Sequence, residues 1–224
     1  VAMAKLAPED QYVKLASADQ LAQHIPTLDI FDAGQPDADR LRQRASEAEA
    51  SALSVDGITN SDGGNAGHGV VDVLIATSNG FSAGYQRSSH GVSAVVIAEK
   101  NGQMERDYDY SSAVFETDLD AADAVGKSAA KRALERLGAS KAKTGKFPVI
   151  YDRRVAASLV STVASAINGA AIARGTSFLK DQLGKKITAD GLHFIDDPLR
   201  PRGMGSRPFD AEGCPVQTRK MVED

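Results

Sequence analysis

The side chains able to do chemistry are few and scattered. The chain holds four histidines, His24, His68, His90 and His193, and one cysteine, Cys214. Zinc-dependent hydrolysis usually places two histidines one helical turn apart beside a glutamate, so that one helix face grips the ion while the carboxylate activates water. No two of these histidines have that spacing, and each reads as a surface or structural residue. A lone cysteine makes neither an internal disulfide nor a CxxC metal knuckle, and it fits a reducing cytoplasm. Ser158, Ser161 and Ser165 share one helix face. A serine nucleophile, however, needs a neighbouring base and an oxyanion hole, and no Gly-x-Ser-x-Gly elbow surrounds them. They read as small polar residues that let another helix or strand come close. Asp196-Asp197 and the pair Asp210 and Glu212 are candidate metal or acid–base carboxylates. Beside Pro198 and Gly213 they read instead as loop caps bonded to nearby backbone, and adjacent acids in a strand would point to opposite sides.

These residues sit in a chain of 224 with 42% hydrophobic and 25% charged residues, a balance that favours a folded globular protein over disorder. With 26 Lys+Arg against 30 Asp+Glu the net charge is −4, so no overall field draws it to nucleic acid or an anionic bilayer. The stretch 127–154 holds nine positive residues against Glu135 and Asp152. Aromatic residues are not interleaved with them before Phe147, so this reads as a solvated helix face and linker.

Residues 1–36 read as a connecting arm: the end of a helix before Pro8, a short helical stretch at 18–24, then a loop punctuated by Pro26, Gly34 and Pro36. Asp37 is the expected N-cap of a helix reaching about Leu53, with Leu41, Ala45, Ala48 and Ala52 on one face. Strands are expected at 70–78, 81–90, 92–100 and 104–115, two of their connections carrying the hairpin signals Asn79-Gly80 and Asn101-Gly102. A further strand around 58–61 is turned by Gly63-Gly64. In Asp107-Tyr108-Asp109-Tyr110 the acids and tyrosines take opposite faces, the tyrosines inward. A second helix, 120–137, starts at an Asp120 cap and stops before Gly138.

A short strand at 147–151 follows, and Asp152 then caps a helix. Its stretch 155–173 is nineteen residues without a charge, but too rich in Ala, Ser, Thr, Asn and Gly to face lipid. The stripe Val155, Leu159, Val163 and Ile167 is expected to be core. A short strand at 192–195 precedes an extended loop. The expected fold is α+β: an antiparallel β-meander packed with helices, one of them long, uncharged and buried, over a domain at 37–197. Residues 198–224 would lead to a C-terminal half absent from this chain.

Ile58-Thr59-Asn60-Ser61-Asp62-Gly63-Gly64, Ser78-Asn79-Gly80-Phe81 with Gly84-Tyr85, and the run from Ile97-Ala98-Glu99-Lys100 to Asp107-Tyr108 resemble the PmbA/TldE branch of the TldD/PmbA family. Pro148-Val149-Ile150, Ala166-Ile167-Asn168-Gly169-Ala170, Arg174-Gly175-Thr176-Ser177-Phe178-Leu179, Leu183-Gly184 and Pro208-Phe209-Asp210-Ala211-Glu212-Gly213 follow in the family's order. The resemblance implies a cytosolic protein of a zinc metalloprotease family. In that family the TldD subunit carries HExxxH on the helix leading into the Gly-Thr-Ser segment. Counted back from Gly175, its three functional positions fall on Val160, Ser161 and Ser165. The resemblance therefore implies a partner subunit without catalytic residues or metal ligands of its own, with zinc held by a TldD-like subunit. Peptide or unfolded protein would be the substrate, in peptide-antibiotic maturation and antitoxin degradation. Ser161, Ser165, Asn168 and Arg174 are the residues expected to line the shared chamber. The family's older description, modulator of DNA gyrase, implies the alternative: a binding protein acting on gyrase or a toxin–antitoxin system without proteolysis.

Overall fold

The computed structural model describes Leu6 and residues 14–222, so the helix end expected before Pro8 lies largely outside the described residues. The chain divides into two compact units, Val1–Ala139 with Asp197–Gln217, and Ser140–Asp196 with Thr218–Asp224.

The first unit is built on a three-stranded antiparallel sheet in the order β1 (Ile58–Ala76), β2 (Ser82–Lys100) and β3 (Gln103–Ala113). Asn101 and Gly102 both have positive φ, 53° and 76°, which gives the β2–β3 turn the twist that matches its strands. Two sequence expectations change here. The strands expected at 81–90 and 92–100 are one continuous β2, because Gly91 stays in register with Gly67 and Ser112. Likewise, Gly63-Gly64 does not end a strand: β1 runs through it, absorbing the extra residue as a register shift between Ser61 and Gly63.

Helix α1 (Ala38–Leu53) starts as expected, with Asp37 accepting from the Arg40 N–H at 2.8 Å. Helix α2 (Ala122–Arg136) does not. The Asp120 side chain caps nothing there, the cap position is Ala121, and the Asp120 N–H donates to Ser111 Oγ at 3.0 Å. Both helices cover one sheet face through alanines that permit close approach: Ala48 and Ala52 of α1, Ala129, Ala130 and Ala133 of α2, and Ala94, Val96 and Ala98 of β2 are fully buried. A second cluster gathers Ala16, Leu21, Phe81 and Phe209. Residues 14–36 pack into this unit. They form only a short 3₁₀ turn, Ala18–Gln20, where a helical stretch was expected, and the Ala22 and Ser88 N–H groups donate to Gly213 and Ile30 carbonyls.

On β3 the expected facing is reversed. Tyr108 and Tyr110 are 44% and 56% exposed and stack 6.3 Å apart, while Asp107 is buried. The reason lies on α2, which brings cations and a hydroxyl over the acid side. Arg132 Nε lies 3.4 Å from Asp109, Arg136 Nη1 lies 3.6 Å from Asp107, and Ser128 donates to Asp109.

The second unit contains α3 (Arg153–Ala166), α4 (Gly169–Ala173) and a two-stranded sheet of β4 (Phe194–Asp196) and β5 (Arg219–Val222). Asp152 caps α3 as expected, accepting from the Arg154 N–H. The single long buried helix expected at 155–173 is instead two helices. Asn168 breaks it by accepting from the Ala170 N–H and capping α4. Nor is the stripe core, since Val155 and Leu159 are about half exposed. The other regular elements of this unit among the described residues are too short to cover it. Residues 147–151 pair with no strand, and Phe147, Val149 and Ile150 are exposed. The strand expected at 192–195 is the three-residue β4.

Candidate functional site

Helix α3 carries Ser158, Ser161, Thr162 and Ser165 along one side because the hydroxyl residues recur at helical spacing. With Ala166, Ala171, Thr176, Ser177 and Phe178 they line an open cavity of about 610 Å³. Its wall is fixed by buried Ser177, whose hydroxyl donates to the Ala166 carbonyl at 2.6 Å and accepts from the Leu179 N–H at 3.0 Å. Three of the four hydroxyls on the helix are turned back on their own backbone. Ser158 donates to Val155 O, Ser161 to Ala157 O and Thr162 to Ser158 O. No histidine, carboxylate or amine lines the cavity, so nothing there could take a serine proton. What the cavity offers is a neutral, hydroxyl-lined surface.

The four chamber candidates do not converge. Ser161 and Ser165 line this cavity; Asn168 caps α4, and Arg174 closes it, its N–H donating to Ala170 O at 3.2 Å. One acid of each pair behaves as a loop cap: Asp197 accepts from the Leu199 N–H, and Asp210 from the Glu212 and Cys214 N–H groups, while Asp196 in β4 lies 3.7 Å from Arg219 Nε. Among the described residues, no three His, Cys, Asp or Glu are arranged to hold a metal ion. No helix there is long and apolar enough to cross a membrane.

Two of the histidines, however, are not isolated. His68 and His90 face each other across β1 and β2, with ring centroids 4.6 Å apart. They border a second cavity, about 520 Å³, in the first unit. The sequence holds the signal: both are equally distant from Asn79 of the hairpin turn. Using it requires β2 to run unbroken through Gly91, which the residues alone did not suggest.

The model of the PmbA/TldA metallopeptidase central domain matches residues 31–137, and that of the PmbA/TldA metallopeptidase C-terminal domain matches 144–224. Together they cover most of the chain. The chain belongs to the PmbA/TldD family. The Escherichia coli O157:H7 protein named Metalloprotease PmbA is 37% identical over 225 residues, covering 99% of this chain and 50% of that protein. A Bacteroides thetaiotaomicron structure described as a "putative modulator of DNA gyrase" superposes with a TM-score of 0.90 at 26% identity, over 99% of this chain and 52% of that one. The structure of TldE from Thermococcus kodakarensis, 18% identical, shares the fold with a TM-score of 0.76 over 99% of this chain and 50% of that one. This PmbA/TldD-family chain thus spans about half the length of the relatives it matches.

Proposed function

We propose that this chain is part of a PmbA/TldE-type subunit that lacks catalytic residues and pairs with a TldD-like subunit in a heterodimeric zinc metalloprotease acting on peptides or unfolded protein. The observation that carries this reading is the content of α3. The positions implied for two histidines and a glutamate are Val160, Ser161 and Ser165. Valine has no donor atom, and a neutral serine hydroxyl is a poor zinc ligand beside imidazole, thiolate or carboxylate. Ser161 moreover commits its proton to Ala157 O. The residues present do not fit the metal, so no step of a zinc mechanism is assigned to them. Their role is to shape a surface.

The test is metal analysis of the complete protein alone and mixed with its TldD-like partner. Zinc and peptidase activity are expected only in the mixture. Stoichiometric zinc on this protein alone, or a mixture without peptidase activity, overturns the reading. A second expectation concerns the cavity. Ser165→Trp fills it from an exposed position, so the zinc content of the complex should stay unchanged while proteolysis falls roughly ten- to a hundredfold, the scale of a misplaced substrate. Unchanged proteolysis would remove Ser165 from the chamber. The description of the Bacteroides relative favours one other reading, a gyrase-associated regulator without proteolysis. A mixture that binds gyrase but cleaves no peptide would support it.

A further inference from the structure

The His68–His90 pair is the part of the molecule that the proposed protease role leaves unused. The His90 side chain has no exposed surface. Both of its ring nitrogens, Nε2 of His68 and Nη1 of Arg44 are buried without a hydrogen-bond partner in the described protein. Buried polar groups are rarely left so, because each costs desolvation that no partner repays.

These nitrogens belong to one junction. Arg40 and Arg44 of α1 both pair with Glu116. The Glu116 N–H donates to Asp32 Oδ2 at 3.0 Å, and the same oxygen lies 3.3 Å from His90 Nε2. Across β1 and β2, the His68 ring centroid is 4.6 Å from that of His90. The Asp32 N–H donates to Ser88 Oγ at 2.8 Å, which ties the strap at residues 30–34 to β2. Helix α1, the strap, both strands and the 3₁₀ turn Glu116–Asp118 therefore meet around the orphaned nitrogens. The Asp32 carboxylate selects the Nε2–H tautomer of neutral His90, since a lone pair at that position would be repelled. Nδ1 of His90 is then an acceptor, whereas Nη1 of Arg44 can only donate.

We propose that this junction is a built hydration site, in which one or two ordered waters accept from Arg44 Nη1, bond His68 Nε2 and donate to His90 Nδ1. Water is the ligand class that fits. It both donates and accepts, as this mixture of nitrogens requires, and about three bonds is the usual complement of an internal water. A metal cation would face the Arg44 guanidinium, and among the described residues no three His, Cys, Asp or Glu are arranged to hold one. An anion would lie beside the Asp32 and Glu116 carboxylates, whose charges Arg40 and Arg44 already balance. Space for water adjoins the pair: both histidines border the cavity of about 520 Å³, against roughly 30 Å³ for one water in the liquid. The waters join α1 to both strands beside the strap, so they are part of the folded structure and costly to remove.

The test is a crystal structure of the full chain at a resolution that shows ordered water, together with denaturant unfolding of two variants. Water is expected within about 3.2 Å of His90 Nδ1, linked directly or through a second water to Arg44 Nη1 and His68 Nε2. His68→Leu removes one of these bonds, so its unfolding constant should rise roughly two- to twelvefold, the worth of one net hydrogen bond. His68→Gln can still reach the water with its amide and should stay within about twofold of the parent. A His90 Nδ1 without water, or density bonded to it at about 2.0–2.1 Å as a metal ion would be, overturns the proposal. So does His68→Leu at or above the parent's stability, because replacing an unsatisfied buried nitrogen by an apolar group removes a cost. His68→Gln no more stable than His68→Leu overturns it as well. The outcome is independent of whether the protein works in a protease.

Discussion

Phe209→Ala is expected to destabilise the first unit by about 3–5 kcal/mol, the range for truncating a fully buried aromatic. Phe209 is 1% exposed and meets Phe81 and Tyr85 edge-on, with centroids 5.2 and 5.4 Å away. It lies in the returning segment 197–217, whose neighbouring Gly213 sits so close to Phe81 that an added Cβ would be 2.6 Å from Cδ1. The pocket therefore has backbone and rings on its walls, and neither can collapse into the space that alanine would leave. The same segment is held elsewhere by Arg202, whose Nε lies 2.9 Å from Asp29, whose Nη1 lies 2.9 Å from Asp118, and whose guanidinium stacks 4.0 Å from the Phe115 ring. Those contacts are exposed and weak beside the lost packing. Denaturant unfolding measures the effect. A loss under about 1 kcal/mol would show that the site relaxes freely. Phe147→Ala, at a ring 60% exposed, should fall within about 0.5 kcal/mol of the parent.

Gly126→Ala should cost about 1–3 kcal/mol or more, opposite in sign to the gain of about 1 kcal/mol that alanine brings to an ordinary helix interior. A Cβ at Gly126 would run into the carbonyl oxygen of Ala48 and the hydroxyl of Ser51, with Ala48 C at 3.0 Å. Backbone cannot rotate away, and Ser51 Oγ is already bonded to Ala48 O and Asp123 O. Helices α1 and α2 would have to separate, opening the alanine core beneath them. Gly64 meets the backbone of Ala45 in the same way, so Gly64→Ala should act similarly by pushing β1 from α1. Thermal or denaturant unfolding of the variants decides the sign, and a stabilised Gly126→Ala would refute the close approach.

Neither effect is visible in the chain read as text. In the sequence Gly126 simply falls within the helix expected at 120–137, and Phe209 within the extended loop that follows 192–195. What local chemistry controls was legible: the Asp37 cap, the alanine face of α1, the Asn101-Gly102 turn, and the Asp197 and Asp210 loop caps all depend on residues within a few positions of one another. The family, too, was legible, because its motifs occur in order along the chain. The readings that changed depend on what lies across space. A period of two in Asp107-Tyr108-Asp109-Tyr110 states that there are two faces but not which one is covered, and Arg132 and Arg136 on α2 drew the carboxylates in.

The candidate site divides along the same line. That Val160, Ser161 and Ser165 stand at the three positions the resemblance implies for two histidines and a glutamate is a matter of residue type, legible in the sequence. That Ser158 and Ser161 bond their own helix, that Asn168 caps α4, and that His68 stands against His90 beside Asp32 were decided by the tertiary structure alone. Hydrogen bonds within a helix turn and contacts across a hairpin depend on backbone path and strand register, and one uninterrupted strand through Gly91 is enough to turn two scattered histidines into a pair.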